Sequence, residues 1–171
     1  MYILVVVLVF LLGTIIGSFL NVVIYRFGTG KSIATGRSIC MTCNNKLRWY
    51  ELVPLFSFLI QKGRCRRCAS SISHQYPLVE FGTGLMFTLI VLHLLPVVMF
   101  SQALFIFLTI LFTFIFCLLM VISVYDFRHK IIPDKLVYVF IFTAFLDLHL
   151  HLCEDYLFYF HSILSLVDDP L

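Results

Sequence analysis

Residues 81–125 contain no Asp, Glu, Lys or Arg. A run of that length without charge is out of place in a water-soluble domain. It suits a bilayer, whose core takes about 20 apolar residues per helix. With 61% apolar residues over a length of 171, the chain falls among integral membrane proteins. The twelve Lys and Arg lie in two windows only, Arg26–Arg67 and Arg128–Lys135. Basic residues collect in cytoplasmic loops, so both windows are expected inside and the amino terminus outside. An even number of spans must then separate them, and residues 68–127 hold room for two. The expected fold is an all-α polytopic membrane protein of about four transmembrane helices plus a partial fifth, with a small cytoplasmic zinc-ribbon-like module.

Three regions follow from this pattern: a first transmembrane helix at 1–24, a cytoplasmic module at 25–77 and a membrane region at 78–171. The first apolar run lacks the basic n-region of a secretory signal, and Gly13-Thr-Ile-Ile-Gly17-Ser18 is a poor cleavage site, so a retained helix is expected. Gly13 and Gly17, four apart, give a flat face for close helix packing, and Asn21 calls for a partner inside the bundle. Further spans are expected at 78–95 and 102–125, with Pro96 and Ser101-Gln102 marking the turn, then at 136–152 and in part at 156–167. Glu80 at the inner boundary is expected to pair with a basic loop residue, and Asp134 to cap the helix that follows Pro133. His149 and His151, two apart beside Asp147, point to different helix faces and make a poor metal site.

The module differs in kind from the rest. It holds nine of the twelve basic residues, the only Trp (Trp49), and two pairs, Cys40-x-x-Cys43 and Cys65-x-x-Cys68, separated by residues 44–64. A structural disulfide is out of place on the cytoplasmic side. Two such turns can instead present four thiolates to one metal, the tetrahedral set that zinc prefers. Such a closed site leaves no open position for water, so the zinc is expected to be structural. Cys117 and Cys153 read as small apolar residues rather than ligands. The apolar stretch Val53–Ile60 either lies at the membrane interface or packs on the module. Lys62, Arg64, Arg66 and Arg67 suit anionic lipid better than nucleic acid, since the membrane is a short tether away.

The charge-free run ends at Tyr125-Asp126-Phe-Arg128-His-Lys130-Ile-Ile-Pro133-Asp134. An acid where an apolar helix meets the boundary is costly, and such residues tend to be functional. A plain anchor competes with that reading, with Arg128 and Lys130 at headgroups and Asp126 solvated.

Gly17-Ser-Phe-Leu-Asn-Val-Val-Ile-Tyr-Arg26, Gly36-Arg-Ser-x-Cys40-x-x-Cys43, Gly63-Arg-Cys65-Arg-x-Cys68, Tyr76-Pro-Leu-Val-Glu80 and Asp126-x6-Pro133-Asp134 together resemble the type IV prepilin peptidases. The resemblance implies a polytopic aspartic protease of the bacterial cytoplasmic membrane. It would cut the short basic leader from type IV prepilins or pseudopilins at the cytoplasmic face. Many members then methylate the new amino terminus with S-adenosylmethionine. By the same resemblance Asp126 carries the catalytic role, and Cys40, Cys43, Cys65 and Cys68 the metal role with Zn2+.

Two carboxylates sharing a proton can activate water and protonate the leaving group. Asp134 is the rival to Asp126, but it is explained as a helix cap. The family's second aspartate, in Gly-x-Gly-Asp, has no counterpart in residues 1–171, and Asp147, Asp168 and Asp169 are unsuitable substitutes. The chain alone is therefore expected not to cleave prepilin, as a fragment, a frameshift product or one part of a split enzyme. Its Gly13/Gly17 face is expected to be left uncovered. Two alternatives are a non-catalytic zinc module that binds prepilin or an assembly partner, and a methyltransferase without protease activity. Nothing in the sequence resembles a separate glycine-rich nucleotide-binding unit, which disfavours the latter. The sequence leaves open whether a homo-oligomer forms.

Overall fold

The computed structural model describes residues 2–30, 32–99, 101–130, 134–146 and 148. Helix α1 spans Tyr2–Arg26. An irregular module follows, with a 3-10 turn at Trp49–Glu51 and a short helix α2 at Phe56–Ile60. Helix α3 runs Gln75–Leu94 and continues as a 3-10 segment over Leu95–Met99, and α4 runs Gln102–His129. Residues 134–146 form a further helix, α5. Among the described residues three helices are long and apolar enough to cross a membrane, Ile3–Arg26, Gln75–Met99 and Gln102–His129. Sheet structure there amounts to two isolated bridges in the module.

The helix ends differ from expectation for local reasons. Pro77 does not precede the second span but sits in its first turn, where the missing N–H has no intrahelical partner to lose. Pro96 does not mark a turn either. The chain stays helical through it, and the tighter 3-10 geometry takes over at Leu95. The break falls at Ser101, whose hydroxyl caps α4 by accepting from the Leu104 N–H at 3.3 Å. Helix α4 also runs past residue 125. It ends at Lys130, whose left-handed backbone (φ 53°) lets its N–H reach the Asp126 carbonyl. Of the fourth expected span, 136–152, the described part is helical. The partial span at 156–167, together with Asp147, His149, His151, Cys153, Asp168 and Asp169, lies outside the described residues.

The bundle is organised by the seam between α1 and α3. A Cβ added to Gly13 would stand 2.7 Å from the Gly84 Cα, one on Gly17 2.9 Å from the Glu80 Cα, and one on Gly84 2.8 Å from Thr14 Cγ2. The Gly13/Gly17 face is thus buried against α3 rather than left uncovered, and only glycine permits so close a backbone approach. Below the seam, Leu20, Ile24, Val79 and Val121 form a core that joins α1, α3 and α4, with Cys117, Met120, Val124 and Leu136 packed around it. Cys117 thus packs as a small apolar residue, half-buried at the edge of that core.

Gly13→Val should force the seam apart. Overpacking of this kind costs about 1–3 kcal/mol, so the thermal unfolding midpoint in detergent is expected to fall. Gly82→Ala makes the control. Its new methyl would meet only the end of the Met120 side chain, at 3.6 Å, and the midpoint should hold.

Candidate functional site

The module carries two knuckles of one design. In the first, the Cys40 N–H bonds the Asn45 carbonyl and the Asn44 N–H bonds the Cys40 carbonyl, both at 2.9 Å. In the second, Cys65 pairs with Ser70 and Ala69 with Cys65 in the same way and at the same distance. Single bridges close both turns, Ile39 to Lys46 and Arg64 to Ser71. The fourth residue after the leading cysteine has positive φ in each, 55° at Asn44 and 54° at Ala69. Each turn brings two sulfurs to the same cluster.

The four Sγ atoms all lie within 4.8 Å of one another, with Cys40 and Cys68 at 3.8 Å. Zinc–sulfur bonds of about 2.3 Å arranged tetrahedrally put ligand sulfurs about 3.8 Å apart, so the donor set fits a single zinc. The electrostatics agree. The Cys43 backbone N–H holds the Cys40 thiol down at about 6, and the Ser70 hydroxyl, 3.0 Å from Cys68 Sγ, lowers Cys68. The Asn45 backbone N–H favours the Cys43 thiolate, but desolvation and the neighbouring Cys40 and Cys68 sulfurs outweigh it and push Cys43 up to about 11. Four thiolates so close together need a cation between them. Ser70 was not apparent from the sequence, since a serine beside a cysteine pair has no distinguishing pattern.

Arg26 at the end of α1 sets the approach to this cluster. Its Nη1 donates to the Ser32 and Thr35 carbonyls at 2.7 and 2.9 Å, and its Nη2 to the Arg37 carbonyl at 3.4 Å. Gly36 closes the loop beside the guanidinium with φ at +108°, a backbone conformation that favours glycine. The segments Gly17–Arg26 and Gly36–Cys43 are therefore parts of one arrangement, which their separation in the sequence hides.

Glu80 was expected to pair with a basic residue. Instead it is buried, and its Oε2 accepts from the Leu55 backbone N–H at 2.8 Å, with the Ser18 hydroxyl also bonded to it. A carboxylate held at a helix seam is satisfied by backbone and hydroxyl donors that are already in place. Asn21, also buried, donates to the Tyr76 carbonyl at 3.2 Å.

Asp126 lies half-buried in the last turn of α4, at the same end of the bundle as the module. Aromatic contacts hold that turn on either side. Tyr125 meets Phe27 edge-on at 5.6 Å and the His129 ring at 4.5 Å. The Arg128 guanidinium lies 3.9 Å from the centre of the Tyr25 ring, which stacks on Tyr76 at 5.1 Å. Arg128 is thus engaged across α1 rather than serving only as a headgroup anchor. Asp134, eight positions on, is exposed at the start of α5.

Membrane-length helices and a loop module whose four clustered sulfurs could hold a metal ion define a polytopic membrane protein built around a cysteine-knuckle domain. Residues 11–94 match the family model of the bacterial peptidase A24 N-terminal domain. Over those residues the chain is similar to the amino-terminal domain of the bacterial A24 peptidases. It is 52% identical over 81 residues to a prepilin leader peptidase/N-methyltransferase of Myxococcus xanthus (strain DK1622), covering 47% of this chain and 24% of that protein. Proteins of the same name from Klebsiella pneumoniae and Bacillus subtilis (strain 168) are 33% and 32% identical over 133 and 140 residues. Those matches cover 74% and 78% of this chain, and 54% and 50% of the relatives. The chain therefore spans about half or less of the length of these relatives. No solved structure matches it.

Proposed function

We propose that this protein serves in leader processing of type IV prepilins or pseudopilins at the cytoplasmic face of a bacterial membrane, with Asp126 as one carboxylate of an aspartyl dyad. The observation that carries this reading is the half-buried Asp126, held by aromatic contacts at the module end of a bundle similar in sequence to prepilin leader peptidases. The Lys and Arg distribution supports a cytoplasmic location for that end and an outside location for the amino terminus. Cys40, Cys43, Cys65 and Cys68 hold a structural zinc that folds the module. The zinc takes no part in the chemistry, since four sulfurs leave it no open position.

In a dyad one carboxylate takes a proton from the attacking water while its protonated partner donates to the scissile amide. Residues 1–171 include no Gly-x-Gly-Asp, so the second carboxylate comes from sequence outside them or from another polypeptide. Methylation of the new amino terminus with S-adenosylmethionine belongs to the same reading. A non-catalytic role for the chain by itself, holding prepilin on the zinc module, is favoured by that same lack of a second acid.

The test is prepilin cleavage by residues 1–171 in proteoliposomes, alone and together with a membrane segment that carries Gly-x-Gly-Asp from a relative. Cleavage only in the combined sample is expected. Cleavage by residues 1–171 alone would overturn the split-dyad reading. Prepilin binding without cleavage in either sample would leave the non-catalytic role in its place.

A further inference from the structure

Helix α2 is apolar on both sides. Phe58 turns inward, packing under Gly63 and edge-on to the His74 ring at 5.6 Å. Phe56, Leu59 and Ile60 turn outward and are 57%, 70% and 68% exposed. Leu52 and Val53 just before them are exposed too, as is Trp49 on the adjoining 3-10 turn. A helix with one apolar face already packed has no reason to carry a second unless that face is also covered.

Its position says what covers it. The Leu55 N–H at the head of α2 is bonded to Glu80. Glu80 lies five residues into α3, about 7.5 Å along the helix axis from Gln75. The chain entering α2 therefore dips back beside the body of a membrane-length helix instead of standing above its tip. At that level α3 itself exposes Leu78 and Phe81, so the head of α2 at Leu55 is level with the apolar surface of the spans. Directly after α2 come Lys62, Arg64, Arg66 and Arg67, all exposed. Apolar side chains at the depth of the bilayer boundary, followed by a basic cluster, match the chemistry of an anionic membrane surface.

We propose that α2 is a membrane-docking element. It lies in the headgroup region with Phe56, Leu59 and Ile60 toward the acyl boundary, and Lys62, Arg64, Arg66 and Arg67 on anionic headgroups. The zinc module is thereby laid against the bilayer instead of hanging from two linkers. This holds whether or not the chain processes prepilin.

The single tryptophan makes the test direct. The full chain, zinc-loaded, is reconstituted in phosphatidylcholine vesicles with and without phosphatidylglycerol. Emission is read from native Trp49 and from Leu59→Trp in a Trp49→Phe background. Lipids brominated high on the acyl chain should quench both tryptophans, those brominated near the chain end should quench weakly, and aqueous iodide should do little. Omitting phosphatidylglycerol should cut the bromolipid quenching by about twofold. Quenching by iodide alone would put α2 in water. Shielding from both quenchers would mean a protein cover, such as a second copy, and would equally overturn the proposal. Equal bromolipid quenching with and without phosphatidylglycerol would remove the basic cluster from it. If the Leu59→Trp variant does not fold, the native Trp49 signal decides by the same criteria.

Discussion

Asp126→Asn is expected to abolish leader cleavage in cells whose prepilin processing depends on this protein. A positioned acid–base group contributes about 10²–10⁴-fold to rate, and a dyad without one of its carboxylates has no group in the right protonation state. The substitution is nearly isosteric. The backbone bond from the Lys130 N–H to the Asp126 carbonyl is untouched, and so is the Arg128–Tyr25–Tyr76 stack that holds the turn. Prepilin should still be captured by the membrane-bound protein, and only its conversion should stop. Asp134→Asn, at an exposed helix start, should leave most of the cleavage in place. Immunoblots of uncleaved and mature pilin separate these outcomes. Loss of cleavage with Asp134→Asn but not with Asp126→Asn would exchange the two roles.

Cys40→Ser is expected to strip the metal from the module. Removing a ligand outright should weaken zinc by more than about 100-fold, beyond what loss of an outer-shell partner costs. Zinc per chain, measured by atomic emission after detergent purification, should fall to near zero. Because metal binding and folding are coupled in a module this small, residues 32–74 should then become open to protease. Ser70→Ala, which removes only the hydroxyl beside Cys68 and Cys40, should weaken zinc by a smaller factor.

The pH dependence follows from the same sulfurs. With Cys43 at about 11, it must release a proton to bind metal anywhere below that value, so apparent zinc affinity should rise with pH. Below about 6, Cys40 competes for a proton as well, and affinity should fall more steeply. An affinity independent of pH across this range would argue against thiolate ligation.

Much of this was legible in the order of residues. The charge-free stretch 81–125 leaves a bilayer as its natural solvent, and in lipid the backbone can be satisfied only within helices or closed barrels. Two Cys-x-x-Cys turns in one loop have few uses other than a shared metal, because the turn itself brings each pair of sulfurs together. Gly13 and Gly17 announced a close helix contact. In each case the information is local, carried by composition or by spacing within one turn.

The tertiary structure decided what the pattern left open, namely which groups meet across distance. It gave the glycine seam its partner in Gly84 and Glu80, on a helix more than sixty positions away. It matched Glu80 to a backbone N–H where charge alone suggested Lys or Arg, because at a packed seam the nearest donor outweighs the strongest one in solution. It turned Arg26 into the clamp of the loop that leads to Cys40, and Arg128 into a tie to α1 beside Asp126. It also showed one side of α2 packed and the other bare. A sequence specifies the chemistry each residue can offer. Which of those offers is taken depends on burial and distance, and these exist only once the helices have packed.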